Sequence, residues 1–151
     1  MKTERHAVAV SAEGTRAALS AARVQDIVRG VLRAERVGPA MVSVTFLSSR
    51  AMAALNRRHL GHRGATDVIS FGFAPSGGQG IVGDIYVCPD VARENAAHFG
   101  CGVREETARL VIHGTLHVLG YDHPVNAARE ASPMWARQER LLRRLAPAPA
   151  L

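Results

Sequence analysis

The chain has 151 residues, 47% apolar and 21% charged, which excludes a disordered or collagen-like chain and suits one domain with a hydrophobic core. Nineteen Lys and Arg against thirteen Asp and Glu leave a formal charge of +6, and every basic residue except Lys2 is an arginine. That excess favours a polyanionic partner, although arginine richness also arises from genomic base composition. Two cysteines, Cys88 and Cys101, are too few for a secreted disulfide framework and read as reduced thiols. The segment Met1–Val10 lacks the apolar core and cleavage site of a signal peptide, and no apolar run approaches the ~20 residues that cross a bilayer. The expectation is a soluble cytoplasmic protein with no membrane partner.

In chain order, His6–Val10 is a short strand, and Thr15–Glu35 is a helix with Leu19, Val24, Ile27, Val28, Val31 and Leu32 at helical spacing, ended by Gly38-Pro39. Met41–Leu47 alternates apolar and small polar residues as a half-buried strand does. Ser48 or Ser49 caps a helix carrying Met52, Ala53 and Leu55, and Leu60–Ala65 reads as loop. Asp67–Phe73 and Ile81–Cys88 form a hairpin across the flexible Pro75–Gly80 connection. No Lys-Ser/Thr follows those glycines and no helix opens there, so they are not a phosphate-binding P-loop. Helices follow at Asp90–Phe99 and Arg104–Leu119, with Gly100 and Gly120 at their C-terminal ends. A last helix starts at Ser132-Pro133 and runs to Leu145. Residues 1–146 are expected to form one domain and 147–151 a disordered Pro/Ala tail.

The chemistry concentrates in His113-Gly-Thr-Leu-His117-Val-Leu-Gly120-Tyr121-Asp122-His123. On a helix, His113 and His117 point about 40° apart and sit ~6 Å apart along the axis, close enough to share a metal ion. Gly120 lets the chain leave through a left-handed turn and swing His123 towards the same ion. Three imidazoles with one position left open are the pattern of a catalytic zinc site, although nickel, copper or iron also accept three nitrogens. The spacing matches the metzincin proteases, but those place a Glu directly after the first His, where this chain has Gly114. Gly114 moves no proton, which disfavours a peptidase; a metal can still lower the pKa of a bound water to ~7 without that Glu.

The basic residues suggest which substrate meets such a site. From Val37 to Thr66 there is no Asp or Glu, whereas Arg50, Arg57, Arg58, His59, His62 and Arg63 all fall there, and the last helix adds Arg137, Arg140, Arg143 and Arg144. Guanidinium groups suit phosphodiesters; a solvated basic face is the plain alternative.

The eleven-residue histidine block resembles the signature of the YbeY family of bacterial ribosomal RNA maturation factors. Leu55-Asn56 followed by Thr66-Asp67-Val68-Ile69-Ser70-Phe71 is similar to a second family block, Val82-Gly83-Asp84-Ile85 to a third, and Met134 and Glu139 fall where the family's last helix carries Met and Glu. The match runs from about residue 41 to 145. The resemblance implies an α+β fold: a small mixed four-stranded sheet with helices packed on it and a zincin-like three-His metal site. It also implies a single-strand-specific, metal-dependent endoribonuclease acting in 16S rRNA 3′-end maturation and ribosome quality control. One Zn²⁺ per chain would be held by His113, His117 and His123, which would also be the catalytic residues. Single-stranded rRNA, the ribosome or its small-subunit proteins and a ribosome-associated GTPase would be the partners.

The chain departs from the family pattern at Leu60, where members carry an arginine thought to contact RNA; Arg57, Arg58 and Arg63 beside it are the RNA-binding candidates. Ala65 and Gly72 replace frequent prolines, with an expected effect on loop stiffness alone. Asp84 is a candidate for orienting a ligand imidazole and Asp122 for orienting one or acting as a base, with a structural acceptor and a local turn bond as their respective alternatives. Competing readings of the whole are a non-catalytic ribosome-binding assembly factor and an unconventional metallopeptidase.

Overall fold

Strand β1 (His6–Glu13) outruns the expected His6–Val10 because its backbone stays in register with β2 (Ala40–Leu47) as far as Glu13 opposite Leu47. Between them α1 (Ala21–Ala34) starts well after Thr15: Ser20, in extended backbone, accepts a hydrogen bond from the Arg23 amide and sets the first turn there. Ser48 caps α2 (Ser49–Leu60) in the same way through the Ala51 amide, and Leu60 belongs to the helix rather than to the loop after it. Strands β3 (Val68–Phe73) and β4 (Ile81–Val87) pair antiparallel as the expected hairpin. Helices α3 (Pro89–Phe99), α4 (Val103–Val118) and α5 (Pro133–Leu145) begin and end within a residue of expectation. A 3-10 turn over Ala127–Ala131, which no sequence signal marked, leads into α5. The structure is a computed structural model that describes residues 5–73, 80–124 and 127–147; most of the hairpin connection and the tail from residue 148 lie outside the described residues.

The sheet runs β1-β2-β4-β3, with β1, β2 and β4 parallel and β3 antiparallel to β4. This is the mixed four-stranded α+β arrangement expected. Strand alternation sends Val42, Val44, Phe46, Ile85 and Val87 to one face, where residues of α1, α4 and α5 complete the main core. The other face holds a smaller cluster, Leu47, Met52, Ile69 and Cys88, in which α2 supplies Met52. No helix among the described residues is long and apolar enough to cross a membrane.

Helix α4 packs against β3, β4, α1, α3 and α5, and it is buried on almost every side from Glu106 to Val118. A helix so enclosed has little amphipathic contrast. It lies directly on the sheet because three glycines leave room. A Cβ on Gly114 would come within 2.7 Å of Ile85 Cγ2, and one on Gly83 within 2.4 Å of Val118 Cγ1. Gly72, opposite Gly83 across the strand pair, would meet the Val118 carbonyl oxygen at 2.7 Å. Gly72 is therefore not a matter of loop stiffness: it is a strand residue whose missing side chain admits the end of α4.

Candidate metal centre

The end of α4 builds the site. Gly120, at φ +101°, reverses the chain, with its amide donating to the His117 carbonyl and the Tyr121 amide donating to the Leu116 carbonyl, both at 3.0 Å. That pair of bonds is the Schellman closure glycine makes accessible. The reversal returns His123 to the helix, leaving its Nε2 3.4 Å from His113 Nε2. One ring nitrogen from each of His113, His117 and His123 lies within 4.8 Å of the others.

The opposite ring nitrogens all point outward, onto carbonyl oxygens. His113 Nδ1 donates to Gln138 Oε1 at 2.6 Å, His117 Nδ1 to the Tyr121 carbonyl at 2.9 Å, and His123 Nδ1 to the Pro124 carbonyl at 2.8 Å. The Gln138 amide is itself oriented, its nitrogen donating to Glu139 Oε2 at 3.0 Å. A carbonyl cannot donate, so each Nδ1 holds the ring proton and each Nε2 presents a lone pair. Burial pushes the His113 imidazole down to about 4, against the opposing Gln138 bond and with help from the charges of His117, Arg129 and His123. His117 is also shifted down, first by burial. Converging neutral imidazoles of this kind fit a borderline transition metal, and the set itself does not choose among zinc, copper, nickel and iron.

Two sequence candidates for orienting these rings do other work. Asp84 accepts from Ser43 Oγ at 2.7 Å on the sheet face turned away from α4, because its neighbours Gly83 and Ile85 take the face towards it. Asp122 accepts from the His123 amide at 2.8 Å, the local turn bond. Glu139 joins Arg109 at 2.9 Å, and the contact to His113 falls to its neighbour Gln138. Arg57, Arg58 and Arg63 are exposed at and beyond the end of α2, and none lines the cavity beside His113. Arg137 is tied to Glu35, which also accepts from the Tyr121 hydroxyl at 2.6 Å.

That cavity, about 530 Å³, opens between α3, α4, α5 and the 3-10 turn, with His113 and Gln138 in its wall. Arg109 crosses it, bonded to Glu105, Glu106 and Glu139, which hold its guanidinium charge firmly. Arg129 and Trp135 also line it, the guanidinium carbon 5.6 Å from the indole centroid. Sequence reading missed Gln138, Trp135 and Arg129. Gln138 did leave a signal, a polar residue in phase with the buried Met134, Leu141 and Leu142; Arg129 left none.

The chain is similar to known proteins over most of its length. The family described as Endoribonuclease YbeY matches residues 9–146. The chain is 37% identical over 123 residues to the Endoribonuclease YbeY of Chlorobium phaeobacteroides, spanning 82% of this chain and 86% of that one. To the Mycobacterium tuberculosis H37Rv protein of the same name it is 39% identical over 135 residues, spanning 82% and 75%. The solution structure of a Thermotoga maritima protein superposes with a TM-score of 0.61 at 26% identity, covering 91% of this chain and 88% of that one.

Proposed function

The chain belongs to the Endoribonuclease YbeY family, and from that premise we propose that it is a metal-dependent, single-strand-specific endoribonuclease acting in 16S rRNA 3′-end maturation and ribosome quality control. The observation that carries the metal dependence is the convergence of three Nε2 lone pairs from His113, His117 and His123. These residues would hold one ion per chain, zinc in our reading. When bound, the ion supplies a Lewis acid for a phosphate oxygen and an acidified water.

The chain's own residues contribute orientation and charge. Gln138 and the Tyr121 and Pro124 carbonyls hold the Nδ1 protons, keeping all three rings in the tautomer that presents Nε2. Glu35 and Arg137 brace Tyr121 through its hydroxyl and so steady the turn that carries His123. Gly114 packs on Ile85 and offers no carboxylate, which separates the site from the metzincin peptidases. Single-stranded rRNA is the proposed substrate, ribosomal small-subunit proteins and a ribosome-associated GTPase the proposed partners, and the cytoplasm the proposed location.

The test is cleavage of a labelled single-stranded RNA by metal-stripped protein, by the same protein restored with zinc, and by His117→Ala. Activity falls on stripping, returns with zinc and is missing in the variant. Full cleavage by stripped protein or by His117→Ala overturns the proposal. A second reading, a ribosome-binding assembly factor without catalysis, is favoured by Leu60, 47% exposed at the end of α2 where the family pattern has arginine. Metal-loaded protein that binds ribosomes and cuts no RNA would establish it.

A further inference from the structure

The cavity beside the histidines contains two arginines in opposite conditions. Arg109 is saturated by Glu105, Glu106 and Glu139. Arg129 forms no ion pair or side-chain hydrogen bond among the described residues, and its Nε is buried without a partner. A guanidinium held this way keeps its fork of donors free for an anion. It lies over Trp135, and its charge reaches both His113 and His117. Phe99, 61% exposed at the end of α3, supplies a second aromatic surface in the same wall. The volume, about 530 Å³, falls within the range of small-ligand sites. The carboxylates clamped by Arg109 keep lone pairs that accept hydrogen bonds, the chemistry that meets an exocyclic amine on a nucleobase.

We propose that this cavity is a nucleotide subsite in which Arg129 binds the phosphate adjoining the histidine triad, Trp135 and Phe99 take the base by stacking, and the glutamate wall favours amino-bearing bases. The substrate named rests on the ribonuclease reading of the same site, whereas the binding test below is independent of cleavage. Stacking on aromatic side chains is tolerant of sequence, so the preference for an amino group comes from the carboxylates.

Trp135 is the chain's single tryptophan, so its fluorescence reports occupancy directly. Zinc-loaded protein is titrated with adenosine 5′-monophosphate, and in parallel with uridine 5′-monophosphate, adenosine and inorganic phosphate. The expected result is saturable quenching by the adenine nucleotide at lower concentration than by the other three. Arg129→Ala should shift the midpoint about tenfold, lower the salt slope of RNA binding by about one, and raise the KM for RNA. Arg129→Lys recovers part of each effect, and unchanged zinc content shows that both variants keep the metal site. An adenine nucleotide midpoint that Arg129→Ala leaves in place overturns the subsite, and so does the absence of saturable quenching. Protein that cuts RNA yet gives either of those results leaves the ribonuclease reading standing. Protein that binds the nucleotide through Arg129 yet cuts no RNA keeps the subsite and overturns the ribonuclease reading.

Discussion

The two faces of the sheet carry residues of one strand to opposite fates. On the face against α4, Gly83 and Ile85 disappear beneath the helix, and what matters is the absence of a side chain: α4 settles low enough to set His113 and His117 beside His123. On the far face, Asp84 has a carboxylate suited to orienting a histidine, but it bonds to Ser43 across the sheet instead. Chemical aptitude and nearness in sequence to a motif do not place a residue in a site. The strand's two-residue period does, and here it sends the glycine in and the acid out.

The largest effect expected belongs to the near face at acid pH. The His113 imidazole sits at about 4 against an ordinary 6.5, so the folded state resists a proton that the unfolded chain accepts. Its contribution to stability is full above 6.5 and is lost as pH falls from there towards about 4, a loss on the order of 3 kcal/mol. Thermal unfolding of metal-free protein across that range measures it, and a His113→Leu variant should show a shallower pH dependence. Equal slopes in the two proteins would contradict the assignment.

Next in size is Gln138→Leu. Removing the acceptor frees the His113 ring from its tautomer, and zinc affinity should fall about ten- to a hundredfold with the other ligands intact. Competition against a chromophoric chelator reads that change directly; affinity equal to wild type would show that the ring is oriented by packing alone.

Gly83→Ala asks whether the close approach itself matters. Its Cβ would press on Val118 at 2.4 Å, and overpacking of this kind costs about 1–3 kcal/mol, read as a lower midpoint in denaturant, with weakened zinc binding as the end of α4 lifts. The smallest effect expected is on the far face. Asp84→Asn weakens the Ser43 bond, costs about 1 kcal/mol and leaves zinc affinity unchanged. A loss of zinc binding in Asp84→Asn comparable with that in Gln138→Leu would abolish the contrast between the faces.

Much of the site was legible because its parts are local. His113 and His117 are one helical turn apart, and Gly120 returns His123 over only a few residues, so their meeting follows from helix geometry and a left-handed turn. The serine caps at Ser48 and Ser132 were legible for the same reason, each satisfying an amide three residues ahead. The start of α1 was misread because apolar spacing continued through Leu19, which is buried in the core without being helical. Arg57, Arg58 and Arg63 formed the conspicuous basic run, yet the arginines in the cavity wall with His113 are Arg109 on α4 and Arg129 in a 3-10 turn.

The sequence by itself determined the histidine spacing, the turn at Gly120, the caps and the strand alternation, because each depends on residues within a few positions of one another. Only the tertiary structure decided that Gln138, 25 residues from His113, orients its ring, that three glycines let α4 rest on the sheet, and that Arg109 is neutralised while Arg129 has no ion-pair partner among the described residues. Those outcomes depend on which helix faces pack together, and packing is settled by the summed burial of the whole core rather than by any local run of residues.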